Sequence, residues 1–233
     1  MAMRFLIVIA LALVAVSGLA YLYWRYVWFF RNPPRTPPPG EGILSPADGT
    51  VVYVKEVQPL EPVVVIKKGV SATVNDILRE DEQTPRIIVG VFMSPFNVHY
   101  NRAPLSGRVD FVHYHPPIGS NLHMGAMHLR TLLKRQPHYE NSLHIVQNER
   151  KVTRISGHYQ GEPLACYVVQ IAARTVSGID SYVNPGESVE RGAIFGMIRI
   201  GSQVDLVVPW RADLRTRVRA GDKVRAGETV LID

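Results

Sequence analysis

Ser202 follows Gly201 inside an otherwise strand-like run, Gly192-Ala-Ile-Phe-Gly-Met-Ile-Arg-Ile-Gly-Ser-Gln-Val-Asp-Leu-Val-Val-Pro209. Glycine has no Cβ, so its carbonyl can be approached closely and its backbone reaches conformations that other residues resist. An adjacent serine supplies a hydroxyl that can attack that carbonyl when a base and local strain assist. Taken alone, a Gly-Ser pair between strands is a bulge or a bend. His99 stands in Ser94-Pro-Phe-Asn-Val-His-Tyr-Asn-Arg-Ala-Pro104, at the end of a buried strand, and Asp48 in the turn Ser45-Pro-Ala-Asp-Gly49, where an aspartate usually caps the turn. Taken alone, a histidine at a strand end is more often structural than catalytic, although a carboxylate beside a histidine would orient the imidazole and stabilise its charged form. His113 and His115 form an H-x-H pair, followed by His123 and His128. Zinc sites built on H-x-H need a further ligand such as the aspartate of H-x-x-x-D, which no histidine here has, and the single cysteine, Cys166, excludes a thiolate site. No metal is expected. Cys166 lies in an apolar, β-rich run and reads as a small buried hydrophobe rather than a nucleophile.

These residues need a scaffold, and the chain has 233 residues with a net charge of +6 to build one. From Phe5 to Tyr23 it is almost continuously apolar, the length of a membrane-spanning helix rather than of a signal peptide. Trp24, Tyr26 and Trp28 form an interfacial belt, and Arg25, Arg31 and Arg35 outweigh Arg4, which makes the following side cytoplasmic. Residues 1–28 are therefore an anchor, and the proline-rich residues 29–40 a stiff linker. The remaining residues suit one domain with a core. An alternating strand over 50–55, a buried strand over 86–93, a hairpin of 151–155 and 163–173 joined at Gly157–Gly161, and a repeated G-x-x-V-x-x-G unit (186–192 and 221–227) point to a mainly β fold. The class expected is a distorted barrel or sandwich of short strands, related to barrel-sandwich hybrids, with few short helices near Asn75–Glu80 and Met127. Cations at Arg211, Arg215, Arg217, Arg219, Lys223 and Arg225 suit an anionic lipid or a nucleic acid; the apolar amino terminus decides for the membrane.

The spacing of Gly192, Gly196, Gly201 and Ser202 with Val204-Asp205 behind it resembles the self-cleavage site of the phosphatidylserine decarboxylase family, in its short type. Phe29-Phe-Arg-Asn-Pro-Pro-Arg35, Ser45-Pro-Ala-Asp-Gly49, Ser94-Pro-Phe-Asn-Val-His-Tyr-Asn-Arg102 and Asn148-Glu-Arg150 resemble the other family motifs, in family order and over nearly all the chain beyond residue 29. Two places depart from the pattern. Arg102 stands where longer relatives have a second histidine, and Pro116-Pro-Ile-Gly-Ser-Asn121 replaces a proline-glycine-lysine-aromatic turn. The first leaves open whether His99 or another base, such as His113 or His115, serves self-cleavage.

The resemblance implies a pyruvoyl-dependent decarboxylase domain over residues 41–233, cut by itself between Gly201 and Ser202 into chains 1–201 and 202–233. Ser202 would become a covalent pyruvoyl cofactor that forms a Schiff base with the amine of phosphatidylserine, giving phosphatidylethanolamine. Ser202, His99 and Asp48 are the implied catalytic residues, the membrane is the implied partner, and no nucleic acid is expected. The competing reading is a membrane-anchored adaptor or carrier without catalysis, which explains the anchor and the glycine repeat but not S-P-A-D-G, S-P-x-x-V-H-x-N-R, N-E-R and I-G-S-x-V-D occurring together in family order.

Overall fold

The computed structural model describes residues 1–174, 178–199 and 201–233; Ile200, which precedes the Gly-Ser pair, lies outside them. The chain divides into two compact units, Met1–Pro33 and Pro34–Asp233. The first holds helix α1 (Ala2–Tyr23), which runs on through a π-helical turn at Trp24–Trp28. Together these 27 residues are long and apolar enough to cross a membrane. The Arg31 guanidinium lies 4.3 Å from the centre of the Trp28 ring, a cation–π contact suited to a water–lipid boundary.

The second unit is mainly β. Its described strands are β1 (Ile43–Leu44), β2 (Gly49–Val57), β3 (Val64–Lys67), β4 (Val70–Ala72), β5 (Arg86–Met93), β6 (Tyr100–Arg102), β7 (Gly107–His115), β8 (Arg150–Tyr159), β9 (Glu162–Ala172), β10 (Ile179–Ser181), β11 (Ser188–Val189), β12 (Ile194–Ile198), β13 (Ser202–Pro209), β14 (Lys223–Val224) and β15 (Val230–Ile232). Short helices α2 (Val74–Leu78), α3 (Gly125–Leu132) and α4 (His144–Gln147) lie between them. The largest sheet has the order β11-β7-β8-β9-β13-β5-β2-β14 and curls as a half-barrel. β13 sits inside it, paired antiparallel with β5 on one side and β9 on the other.

Successive side chains on a strand face opposite ways, and here both faces are covered. Val204, Leu206 and Val208 of β13 join one core with Val89, Val91 and Ile155. Val207 joins a second core with Ile88 and Val169, roofed by Ile77 of α2 and Met127 of α3. Each such buried aliphatic side chain contributes roughly 1.5–3 kcal/mol, and double-sided burial explains why this strand reads as one continuous apolar run.

The repeated glycines lie in the left-handed region, with φ of 92° and 84° at Gly186 and Gly192 and 100° and 73° at Gly221 and Gly227. Each unit ends one edge of the large sheet, β11 at one side and β14 at the other. The β8–β9 hairpin is tighter than the sequence suggests. Its turn is Gln160-Gly161, both with positive φ (53° and 80°), the two-residue pattern that matches strand twist. Gly157 instead lies within β8, opposite Gly107, where a Cβ would collide with the Ser106 carbonyl oxygen; it is a glycine of close approach, not of a turn. α2 falls where expected and carries a reciprocal cap between Thr73 and Asp76.

Candidate active site

Ser202 opens β13 and is fully buried, facing Met93 at the end of β5 and Ala172 at the end of β9. Its Oγ donates to the Met93 sulfur at 3.3 Å, a weak acceptor that holds the hydroxyl without a strong bond. Gly201 has φ +60°, and its carbonyl oxygen accepts the Ala173 backbone N–H at 3.1 Å. The same glycine lines a cavity of about 200 Å3 with Phe92, Met124, His123, His128 and Ala173.

His99 is buried immediately before β6. Its Nδ1 lies 2.9 Å from the Asn97 carbonyl oxygen, so with the proton on Nδ1 the Nε2 carries a lone pair. The His99 carbonyl accepts Ile198 N–H at 3.3 Å, tying this residue to the strand that leads towards Gly201. Asp48 is placed differently from a base paired to an imidazole: Oδ1 accepts Ala226 N–H and Oδ2 accepts Arg35, both at 2.8 Å. Arg35 also holds Glu228 at 2.7 Å. Burial raises the Asp48 pKa, while the Ala226 N–H and the Arg35 charge pull it back. Arg102 donates to Gly192 O at 2.8 Å and feels Asp48 and Glu228 through space, although burial remains the main influence and lowers its pKa. Arg102 thus belongs to the Asp48 charge cluster.

Sequence reasoning passes over a set of amides that bind these parts together. Asn101 donates to Pro46 O at 3.3 Å and reaches the Met93 sulfur at 3.8 Å, while Gln170 of β9 donates to its Oδ1 at 2.8 Å. The S-P-A-D-G turn, the methionine against Ser202 and the neighbouring strand are thereby joined by one side chain. Asn101 is legible within V-H-x-N-R; Gln170 carries no local signal.

On the opposite face of β13 lies a buried polar group of Gln203, Asp205, Tyr53, His144 and Arg150. Gln203 Nε2 donates to Asp205 Oδ1 and to the Tyr53 hydroxyl oxygen, both at 2.8 Å, and its Oε1 lies 3.2 Å from His144 Nε2. Burial pushes Asp205 up to about 7, against the hydrogen bonds from Gln203 and Tyr53 and the Arg150 charge. It pushes His144 down to about 4, with Gln203 opposing.

Asn148 and Arg150 of the N-E-R triplet are buried. A helical turn, α4, precedes it, and Asn148 clamps Leu122 and Ala172 through their carbonyls, at 2.9 and 2.7 Å. Arg150 is fully buried, donates to Asp76, Ile77 and Asn148 carbonyls, and is brought down to about 9 by burial. Cys166 is buried and its thiol pushed up to about 12 by desolvation, which leaves it inert. His113 and His115 stand on β7 beside Glu80, a carboxylate that no spacing in the chain links to them.

The Gly201 carbonyl and the buried Ser202 hydroxyl adjoin in the chain, with a cavity at the side of Gly201. Such a setting suits an enzyme rather than a display or carrier module. The family model for phosphatidylserine decarboxylase matches residues 22–232. The phosphatidylserine decarboxylase proenzyme of Chlorobium limicola is 35% identical over 206 residues, covering 88% of this chain and 77% of that protein. That of Pelobacter propionicus is 35% identical over 209 residues (88% and 74%), and that of Xanthobacter autotrophicus 34% over 235 (97% and 83%). The chain belongs to the phosphatidylserine decarboxylase family.

Proposed function

We propose that the chain cuts itself between Gly201 and Ser202, converts Ser202 to a pyruvoyl group, and so turns phosphatidylserine into phosphatidylethanolamine. The observation that carries this reading is the hydrogen bond from Ala173 N–H to the Gly201 carbonyl oxygen at the cavity wall. A fixed donor already polarises the bond to be broken and would hold the charge that develops on that oxygen. Ser202 Oγ adds to the Gly201 carbonyl carbon, the C–N bond breaks, and the acyl group moves to oxygen while the Ser202 nitrogen becomes an amine. Loss of the Ser202 Cα proton expels the Gly201 carboxylate, and hydrolysis of the dehydroalanine left at 202 releases ammonia. The pyruvoyl group supplies a conjugated electron acceptor for decarboxylation, which no standard side chain offers.

His99, its ring fixed through Nδ1, returns a proton to the substrate α-carbon. Asp48 assists self-cleavage from within the Arg35, Glu228 and Arg102 cluster, where it anchors the turn joined to Asn101. A cavity of about 200 Å3 is smaller than the roughly 300 Å3 or more of sites for drug-sized ligands; it takes a head group and leaves the acyl chains outside. Leu132 and Phe96 line the adjoining hollow that shares Phe92 and His128 with it, and Leu129, Leu132, Leu133 and Phe96 are exposed. These give the chains an apolar surface. Residues 1–28 anchor the protein in the cell membrane, 29–40 link, and 41–233 catalyse on the cytoplasmic side, the side of Arg25, Arg31 and Arg35.

The test is intact mass under denaturing conditions on protein active towards phosphatidylserine. Two species are expected, residues 1–201 and residues 202–233 with a carbonyl in place of the serine amine. A single uncut chain in active protein overturns the reading.

A further inference from the structure

β7 carries His113 and His115 two residues apart, which sets both on one face of the strand. Across from them, Arg79 ends α2 in a left-handed conformation (φ 56°), and the next residue, Glu80, meets the two rings. Its Oε1 lies 2.7 Å from His113 Nδ1 and 3.3 Å from His115 Nε2, and the three donor atoms all lie within 4.8 Å of one another. We propose that Glu80, His113 and His115 bind a divalent transition-metal ion of the zinc class, with solvent completing the coordination.

A four-coordinate ion with bonds of about 2.0–2.2 Å separates its ligand atoms by roughly 3.2–3.6 Å. The Glu80–His115 spacing already meets this. The Glu80–His113 contact is a hydrogen bond whose proton stands where the ion would, and it opens by about half an ångström on exchange. His113 has its side chain half exposed and Glu80 a quarter exposed, so both can adjust and water can reach the fourth position.

The His115 side of the cluster is the loosely held one. His115 Nε2 is shut off from solvent and makes no well-formed hydrogen bond there, meeting the Glu80 carboxylate only through the long 3.3 Å contact. A metal ion satisfies this nitrogen. The ring orientations are fixed from outside the site: Phe111 stacks on His113 at 4.0 Å, and the two imidazoles stand at 83° to each other. The nearby Arg79 guanidinium is taken up by the carbonyls of Pro116, Val146, Gln147 and Asn148. Two imidazoles and one carboxylate suit zinc, cobalt, nickel or copper and disfavour magnesium and calcium, which take oxygen donors. β8 and β9 separate this site from β13 in the sheet, so the ion is a staple between the end of α2 and β7 rather than a participant at Ser202. Glu80 is thus the carboxylate ligand that the H-x-H sequence lacks nearby.

The experiment uses the untagged full-length protein in detergent, stripped with chelator and titrated with Co2+ and Zn2+, following the Co2+ visible spectrum and the binding heat. One equivalent per chain is expected, with imidazole-type Co2+ bands and no competition from Mg2+. His115→Ala and His113→Ala weaken it more than about a hundredfold, beyond the loss of an outer-sphere contact, and Glu80→Gln, which keeps a hydrogen-bonding side chain, also weakens it. His158→Ala, an exposed histidine elsewhere, leaves it unchanged. Binding that survives in Glu80→Gln and His115→Ala, each shown folded by its unfolding transition, overturns the proposal. So does the absence of any binding by the unaltered protein. Neither outcome depends on decarboxylation, so the site and the proposed reaction stand or fall separately.

Discussion

Replacing Asp205 by asparagine removes a carboxyl group that the fold holds at about 7 against an unfolded value of 3.8. Between those values the unfolded chain has released this proton and the folded chain has kept it, so stability falls as pH rises, by about 1.4 kcal/mol per unit. The full difference, about three units, amounts to roughly 4 kcal/mol above pH 7. His144 acts with the opposite sign. Its folded value of about 4, against 6.5 unfolded, makes stability rise with pH across that window, because only the unfolded chain takes up the proton there. The two nearly cancel between pH 5 and pH 6.5. The amide introduced by Asp205→Asn would keep the acceptor used by Gln203 and leave the unpartnered Oδ2 position no worse satisfied. In the uncut Ser202→Ala background, which permits refolding of one chain, urea unfolding of Asp205→Asn should therefore gain about 2 kcal/mol relative to the parent from pH 5 to pH 6.5. His144→Gln should lose a comparable amount over the same range. Parallel pH profiles for the parent and Asp205→Asn would refute the reasoning, since every other titrating group is common to both.

Ser202→Ala and His99→Ala should fail at different steps. The first stays whole and forms no carbonyl reactive with hydroxylamine; the second, if another base serves cleavage, still cuts itself while decarboxylation falls about a hundredfold or more, and normal turnover by either rejects the assignment. Deleting residues 1–28 should leave a domain that processes itself and turns over detergent-dispersed lipid but no longer sediments with membranes; a well-folded truncation that fails to cut would make the anchor part of the catalytic unit. Changing Leu129, Leu132 and Leu133 together to serine should raise KM for phosphatidylserine in vesicles at least about tenfold and spare a short-chain soluble analogue, whereas equal losses on both substrates would remove these leucines from lipid capture.

Local chemistry is legible in the chain wherever a residue type has one structural use. The four repeat glycines stand out as a pair of G-x-x-V-x-x-G units, and all four lie in the left-handed region that favours glycine. Gly157 misleads, since a glycine required by a neighbouring strand looks like one required by a turn. Juxtaposition is what a linear chain does not display. Asn101 meets Gln170 across 69 positions, and Tyr53 meets Gln203 across 150, and no periodicity encodes such pairs. Arg150 reads as exposed because arginine usually is, yet the carbonyls of α2 and Asn148 offset the cost of its burial. Glu80 is invisible beside His113 for want of any spacing rule that spans 33 residues.

The strand that begins with Ser202 is coded near the end of the chain but lies between β5 and β9, both made earlier. The Ala173 N–H meets the Gly201 carbonyl only once β13 lies beside β9. On the proposed chemistry, synthesis must be complete and the sheet assembled before the reactive group exists. A truncated or misassembled molecule then carries only an ordinary serine, and the cell is spared a stray electrophile. Self-cleavage becomes a folding checkpoint, passed once and recorded covalently.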